Sequence, residues 1–239
     1  MNFDVFTYSN RGGRDYNEDC AGHRIEGGSG IFVVADGLGG LRLGDVASAE
    51  AVDTIVSLWS ASNRPDEMLT SIVSEANNRI LGLQKQNNTT MKTTAALVSV
   101  FGDDAIWGNV GDSRVYFFHN NELHAFTNDH SVAYKKYKAK EITREQIAFD
   151  EDQSQLLRAL GNPERNELEI YKSDVKLLSG DAFFLCSDGA WEFLKDEEIL
   201  IDFLKSETAQ QWAELMLLRI IERVPSNHDN LTLMTVIIQ

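Results

Sequence analysis

Acidic residues recur where apolar segments of the chain begin or end. Asp36-Gly37 follows the apolar run 31–35, Gly111-Asp112 follows 105–110, Asp188-Gly189 follows 182–186, and Asp229-Asn230 precedes 231–238. A single Asp-Gly pair is explained as a turn, but four such sites, together with Glu18-Asp19, are harder to assign to turns alone. If these carboxylates converge, their repulsion would destabilise the fold unless cations occupied the region.

Carboxylate ligands without a cluster of Cys or His favour hard cations, Mg²⁺ or Mn²⁺, over zinc. Two such ions can activate a water and clamp an in-line displacement at phosphorus. A metal-dependent nuclease would use similar carboxylates, but the chain has 22 basic and 37 acidic residues, a net charge of −15. Nucleic acid and anionic lipid would repel so acidic a chain. The residues therefore favour metal-dependent phosphoryl chemistry on another kind of substrate, with no nucleic acid and no membrane insertion.

The elements that must position these residues come in blocks. Apolar runs and alternation predict strands over 3–8, 30–35, 94–101, 105–110, 115–118, 123–126, 168–177, 182–186 and 231–238. Helical spacing predicts helices over 44–59, 65–86, 196–205 and 209–223. Blocks of this kind, without strict alternation of strand and helix, favour an α+β fold with antiparallel sheets. No linker interrupts the chain, so residues 1–239 are predicted to form one domain, with a polar, helix-prone insertion at about 131–155.

Three further features bear on the compartment. The apolar runs are shorter than the roughly 18 residues that a transmembrane helix needs, and the start Met1-Asn2-Phe3-Asp4 is not typical of a secretory signal. Cys20 and Cys186 each lie in or beside an apolar run, which favours reduced, packed thiols over a disulfide. A cytoplasmic protein is expected.

Eight short motifs then occur in one order along nearly the whole chain. They are Arg14-Asp15-Tyr16-Asn17-Glu18-Asp19, Val34-Ala35-Asp36-Gly37-Leu38-Gly39-Gly40, Thr93-Thr94, Gly111-Asp112-Ser113-Arg114, Asp129-His130-Ser131, Arg158-Ala159-Leu160-Gly161, Cys186-Ser187-Asp188-Gly189 and Asp229-Asn230. In this order the chain resembles the metal-dependent protein phosphatases of type 2C, especially the compact bacterial members. The resemblance implies a sandwich of two antiparallel sheets, flanked on each side by paired helices, with a metal centre in a cleft at one end.

The resemblance also implies a set of metal ligands. Asp36 would bridge two ions, the Gly37 carbonyl would bind the first ion, and Asp188 and Asp229 would bind the second. Asp112 would hold a third, weaker ion together with Asp188.

The motif at residues 14–19 supplies the remaining roles that the resemblance implies. Glu18 would hold a metal-bound water, and Asp19 would stand behind it. The guanidinium of Arg14 would grip the substrate phosphate, a task that its planar fork suits. The residues expected to act in catalysis are therefore Arg14, Asp36 and Asp188.

The expected function is a serine/threonine protein phosphatase that uses water activated by Mn²⁺ or Mg²⁺ and opposes a Ser/Thr protein kinase. Two alternatives share the fold: a catalytically weak relative that only binds phosphoproteins, and a phosphatase of a partner-switching pathway. Each would act on, or bind, phosphorylated proteins.

Two features depart from the family pattern. Leu38 stands where eukaryotic members often have a His, so the proton donor to the leaving group is unassigned, with a metal-bound water as the default and His130 and His228 as either helpers or structural residues. The insertion at about 131–155 corresponds to a flap beside the active site, and it is basic. Lys135, Lys136, Lys138, Lys140 and Arg144 could contact an acidic phosphoprotein or form a solvated helix face.

Overall fold

A computed structural model describes residues 1–38, 43–61 and 65–239. Gly39 and Gly40, the end of the second motif, lie outside these described residues. The strands are β1 (Phe3–Asn10), β2 (Asp19–Glu26), β3 (Ser29–Leu38), β4 (Lys92–Thr93), β5 (Ala95–Phe101), β6 (Asp104–Val110), β7 (Arg114–His119), β8 (Glu122–Phe126), β9 (Glu169–Lys172), β10 (Ala182–Cys186) and β11 (Leu231–Ile238). The helices are α1 (Gly44–Leu58), α2 (Pro65–Asn87), α3 (Val132–Lys138), α4 (Asp188–Trp191), α5 (Asp196–Leu204) and α6 (Ala209–Arg223), with a short 3-10 helix at Ile147–Phe149.

The strands form two antiparallel sheets. One has the order β1-β11-β10-β7-β8, and the other has the order β2-β3-β5-β6-β9 with β4 paired to the end of β3. Because β1 pairs with β11 along its whole length, from Phe3 opposite Ile238 to Asn10 opposite Leu231, the N-terminal and C-terminal strands lie side by side at one edge of the first sheet.

Three apolar layers hold the sheets and helices together. In β3, Ile31 and Val33 pack toward α1 and α2, whereas Phe32 and Val34 face the other sheet. A strand covered on both faces reads as a continuous apolar run, which is why its sequence lacks alternation. The outer face of the second sheet packs against α5 and α6. The order of layers is helices, sheet, sheet, helices, and this confirms the predicted α+β sandwich with flanking helix pairs.

The flanking helices have the apolar spacing that this packing requires. Helix α1 buries Ala47, Ala51 and Ile55, which lie on one face at intervals of four residues. Helix α6 is capped by Thr208, the residue before its first turn, whose hydroxyl accepts a hydrogen bond from the Gln211 amide at 3.1 Å. None of the helices within the described ranges is both long enough and apolar enough to cross a membrane.

Several element predictions were wrong in detail. Strand β2 was not predicted, because Asp19–Glu26 contains Gly22 and lacks clean alternation; the glycine is there because a Cβ at this position would lie 2.7 Å from Val52 of α1. The strand predicted over 168–177 forms only over Glu169–Lys172. In the helix-prone insertion, α3 and the 3-10 helix are separated by turns, and the Thr143 amide donates to the Gln146 side chain at 2.7 Å.

The layer between the two sheets predicts a large cost for truncating Phe117. This side chain is fully buried and stacks on Phe183 with ring centroids 4.7 Å apart. We expect Phe117→Ala to lower the free energy of unfolding by about 3–5 kcal/mol, because the cavity cannot close against a packed sheet. Urea denaturation would measure the loss, and Ile221→Ala, on the exposed face of α6, is the matched control that should change stability by less than about 0.5 kcal/mol. Equal losses in both variants would contradict this view of the core.

Candidate metal centre

A cleft of about 180 Å³ opens at the end of the sandwich where β1 ends and β11 begins. It is lined by Arg14, Glu18, Asp36, Gly37, Leu38, Asp112, Ser154, Leu156, Asp188, Asp229 and Asn230. Of the acidic residues singled out from the sequence, five line this cleft, and Asp19 lies behind them in β2. The structure therefore brings the predicted carboxylates together, although they come from distant parts of the chain.

Asp36 lies inside β3, which continues to Leu38, so the expectation that it follows the end of the strand was wrong. Its peptide is fixed from both sides by the two threonines of the third motif. The Asp36 amide donates to the Thr94 hydroxyl at 2.9 Å, and the Thr93 hydroxyl donates to the Asp36 carbonyl at 2.8 Å. A Cβ on Gly37 would lie 2.2 Å from the Gly44 carbonyl oxygen, so this close approach of β3 to α1 requires glycine.

Asp188 and Asp229 reach the cleft from two neighbouring chain segments. Asp188 opens helix α4 directly after β10, and Asp229 precedes β11. The two segments touch at Gly189, where a Cβ would lie 2.0 Å from the Asn230 carbonyl oxygen. One carboxylate oxygen of Asp229 accepts from the Asn230 amide at 2.8 Å, and the other accepts from Arg14 at 2.7 Å.

Asn230 is a functional residue that sequence reasoning missed. Its side-chain oxygen accepts from the Glu18 amide at 2.7 Å, and its side-chain nitrogen donates to the carbonyls of Arg11 and Tyr16 at 2.9 and 2.8 Å. One side chain thus ties the loop that bears Arg14 and Glu18 to the start of β11. The signal was its place beside Asp229 in the quoted motif, but a sequence does not show which backbone groups an Asn will bind.

The electrostatics of the cleft favour a cation. Burial and repulsion from Asp188 and Asp19 raise the pKa of Asp36 well above its ordinary value. Burial followed by repulsion from Asp188 does the same to the pKa of Asp112, and burial and Asp229 raise the pKa of Asp188. Charged carboxylates disfavoured in this way are stabilised by a bound cation.

Two unsatisfied oxygens fit the same explanation. Asp188 Oδ1 and Asp19 Oδ1 are buried without a hydrogen-bond partner, although the other oxygen of Asp19 accepts from Ser187 at 2.8 Å. Asp36 and Asp188 line the same cleft, and, after burial, repulsion from Asp188 contributes to the raised pKa of Asp36. Residues of this kind can hold hard divalent ions such as Mn²⁺ or Mg²⁺. In the part of the chain that the structure describes, no three His, Cys, Asp or Glu side chains are placed so as to hold a metal ion by themselves, so a bound ion would also need backbone carbonyls and water as ligands.

The carbonyl of Asp112 is held by Trp191 of α4, which packs against a buried ion pair. Trp191 Nε1 donates to the Asp112 carbonyl at 2.9 Å, and the guanidinium of Arg114 stacks on the Trp191 ring at 3.5 Å. Arg114 in turn forms a bidentate ion pair with Asp129, at 2.8 and 2.6 Å. The sequence had suggested no role for Arg114 or Asp129.

His130 is a positioning residue on the other side of Asp112, and it does not line the cleft. Its Nδ1 accepts from the Gly111 amide at 3.1 Å, so Nε2 carries the proton and donates to Glu169 at 2.9 Å. Burial lowers the pKa of His130, in agreement with a neutral ring. His228 also stays outside the cleft lining and packs against Gly12, where a Cβ would lie 2.6 Å from its Nδ1. Both histidines therefore have structural surroundings.

Comparison with known proteins identifies the fold and the activity. The family model for protein phosphatase 2C matches residues 8–217. The chain belongs to the protein phosphatase 2C family. A serine/threonine phosphatase, Stp of Listeria welshimeri, is 32% identical over 203 residues, which cover 81% of this chain and 79% of the relative.

Solved structures agree. Stp1 from Staphylococcus aureus superposes with a TM-score of 0.88 and 26% identity, covering 100% of this chain and 96% of that one. The catalytic domain of the phosphatase PstP, solved with two manganese ions, gives a TM-score of 0.84 at 24% identity and covers 99% of both chains. This protein phosphatase 2C is an enzyme, a serine/threonine protein phosphatase, as the sequence predicted.

The flap of this phosphatase 2C reaches the cleft, but its basic residues are not all free. Lys136 forms ion pairs with Asp150 at 2.8 Å and Asp152 at 2.7 Å, within the flap itself. Arg144 pairs with Asp196 of α5 at 2.7 Å. The interpretation of the whole basic run as a contact for an acidic phosphoprotein is therefore weakened, because two of its five cations are already neutralised. The uncharged end of the flap, residues 153–156, faces the metal centre, and Gln153 lies 3.5 Å from Asp188.

The buried pair of Arg114 and Asp129 predicts a stability effect. Their side chains are 6% and 1% exposed, so Arg114→Met would leave the Asp129 carboxylate buried without its partner. We expect a loss of about 3–5 kcal/mol in the free energy of unfolding, measured by urea denaturation. The double variant Arg114→Met/Asp129→Leu is the control and should recover most of that loss, because no uncompensated charge remains. A double variant as unstable as the single one would show that the pair acts through shape and not through charge.

Proposed function

We propose that this phosphatase hydrolyses phosphoserine and phosphothreonine on proteins with the help of Mn²⁺ or Mg²⁺ held by Asp36, the Gly37 carbonyl, Asp188 and Asp229. The observation that carries the proposal is the convergence of carboxylates from five chain segments on one cleft, where burial and mutual repulsion raise the pKa values of Asp36, Asp112 and Asp188. When bound there, such ions would activate a water and neutralise charge on the phosphate. Asp36 would contribute a ligand to both ions, and repulsion of its carboxylate by Asp188, Asp112 and Asp229 supports this role.

Arg14 is proposed to bind the substrate phosphate. Its side chain is 56% exposed at the mouth of the cleft, and its guanidinium already holds the carboxylate of Asp229. A guanidinium that pairs with one oxyanion can offer its other N–H groups to a phosphate in a bidentate fashion. Arg14 would therefore orient the phosphorus atom over the carboxylates.

Three further carboxylates are given supporting roles. Glu18, which accepts from the Gly44 amide at 3.1 Å, is proposed to hold a water at a metal ion. Asp19, held by Ser187, is proposed to orient that region from behind, and burial raises its pKa to about 7. Asp112 is proposed to bind a third, weaker ion with Asp188, because the two carboxylates repel each other across the cleft.

The wider setting follows from the same proposal. Residues 1–239 would act as one catalytic domain with a flap at 131–155, on phosphorylated proteins that a cognate Ser/Thr kinase modifies. We place its action in the cytoplasm, which is supported by two unpaired cysteines, Cys20 and the buried Cys186. Manganese is the first ion to test, because the structurally similar PstP domain was solved with two manganese ions.

Removal of metal tests the proposal directly. We expect hydrolysis of an aryl phosphate and of a phosphothreonine peptide to stop in excess chelator and to return with Mn²⁺ or Mg²⁺ but not with Ca²⁺, because Ca²⁺ prefers longer and looser coordination. Full activity in chelator would refute the metal-dependent mechanism.

The same experiment has an internal control in Asp36→Asn. Its turnover should fall roughly a hundred- to a thousandfold, on the scale of losing one transition-state contact. Its melting temperature in chelator should rise, because the substitution relieves carboxylate repulsion in the metal-free protein. Lower activity together with a lower melting temperature would indicate simple misfolding.

The phosphate-binding role predicts a kinetic split for Arg14→Ala. We expect KM for phosphorylated peptides to rise about tenfold or more while kcat changes little, because the contact is made equally in the ground state. Steady-state kinetics on one phosphothreonine peptide would measure both constants. Arg24→Ala is the control, because Arg24 lies near the end of β2 that is farther from the cleft. A fall in kcat at unchanged KM would instead assign Arg14 to the transition state.

A further inference from the structure

A second and larger cavity lies beside the metal centre. It has a volume of about 460 Å³, within the range of ligand pockets, and it is bounded by the flap on one side and by the segment from α4 to α5 on the other. Its apolar surface comes from both sides, including Ala148 and Phe149 of the flap and Trp191, Phe193 and Leu194 of the opposite segment. We call this cavity the flap groove.

One aromatic side chain that lines the flap groove is largely exposed to solvent. Phe149 is 81% exposed, more than any other large apolar residue of the described chain. Such a residue beside an apolar cavity costs free energy in water unless a partner covers it. Since the groove belongs to an enzyme whose substrates are proteins, a substrate segment is the natural partner.

The rim of the flap groove is acidic once internal pairs are counted. Its guanidinium groups are neutralised within the protein: Arg144 pairs with Asp196, and Arg223 pairs with Glu198 at 2.6 Å. Glu145 and Glu197 are exposed and, in the described part of the chain, form no ion pair, and Lys195 adds one exposed cation. Glu192 also lines the groove, but burial raises its pKa to about 8, so it adds little negative charge at neutral pH. The uncompensated charge therefore favours a partner with basic residues.

The groove lies within reach of a bound phosphoresidue. Helix α4 begins at Asp188 in the metal centre and ends at Trp191 in the groove, a rise of only about 5 Å along its axis. An extended peptide advances about 3.3 Å per residue. A side chain two to four residues from the phosphorylated one can therefore enter the groove while the phosphate lies in the metal cleft.

We propose that the flap groove binds the segment of the phosphoprotein substrate next to the phosphorylated residue, and that this segment combines an apolar side chain with Lys or Arg. The proposal rests on the proposed phosphatase function and adds a substrate class to it. It differs from the acidic substrate expected from the flap lysines, because Lys136 is paired within the flap, whereas the acidic rim of the groove is free.

The test uses phosphothreonine peptides of one length in which Phe and Arg are scanned through positions −4 to +4, against Ala and Glu at the same positions. The intact enzyme should prefer peptides with Phe two to four residues from phosphothreonine and Arg beside it, by about ten- to a hundredfold in kcat/KM, which is what burial of one apolar side chain supplies. The preference should lie mainly in KM, and an aryl phosphate, which cannot reach the groove, sets the baseline.

Two variants separate the apolar and the electrostatic parts. Phe149→Ala should remove the preference for Phe, and the double variant Glu145→Lys/Glu197→Lys should remove or reverse the preference for Arg, while both keep normal turnover of the aryl phosphate. Leu218→Ala and Glu214→Lys, exposed positions on α6, are the matched controls and should keep every preference.

Other outcomes would overturn the proposal. Equal kcat/KM for all peptides would show that no substrate segment enters the groove, and equal loss on peptide and aryl phosphate would make it part of the catalytic scaffold. A dimer in sedimentation that Phe149→Ala dissociates, with peptide preference absent, would assign the groove to a second copy of the chain. Failure of the unaltered enzyme on every phosphorylated substrate would refute the phosphatase function itself, a result distinguishable from the loss of a preference.

Discussion

Several carboxylates forced into one small cleft repel each other, and the rest of the structure serves to hold them there. Asp36, Asp112 and Asp188 each have a pKa raised by burial and by neighbouring carboxylates, so their charged forms are destabilised in the metal-free protein. Such a site persists only when its backbone is fixed by contacts that do not depend on the carboxylates themselves. The structure supplies them: two threonine hydroxyls hold the Asp36 peptide, and the Trp191 indole holds the Asp112 carbonyl.

The sandwich explains how residues so distant in sequence come together. Pairing of β1 with β11 places the start of the chain beside its end, and Asn230 then fastens the loop of Arg14 and Glu18 to the same edge. Close approaches that only glycine permits, at Gly37 and Gly189, remove the side chains that would keep these segments apart. The carboxylate cleft is thus a consequence of how the strands pair, and its acidic residues add charge at a junction that the backbone has already formed.

Much of this could be predicted from local sequence. Strong periodicity located α6 and β11 to the residue, and the motifs identified the carboxylates that line the cleft. What could not be predicted depended on tertiary contacts. Strand β2 forms because β3 pairs with it and α1 needs the small Gly22, a fact with no local signal. The same holds for Lys136, whose ion pairs to its own flap turn an apparent docking cation into an internal contact.

Helix α4, four residues long, connects the proposed metal site to the flap groove. Its first residue, Asp188, lines the metal cleft, and its last, Trp191, lines the flap groove and holds the carbonyl of Asp112. Trp191 is hydrogen-bonded to the carbonyl of Asp112, a proposed metal ligand. Because packed interiors transmit displacements, a substrate side chain that contacts Trp191 in the groove would also affect the position of Asp112. The flap borders both cavities, with Phe149 at one and Ser154 at the other. The groove that would select the substrate and the cleft that would hydrolyse the phosphate are thus bordered by the same flap and the same helix. A substrate segment that fills the groove would therefore also fix the positions of residues that line the cleft.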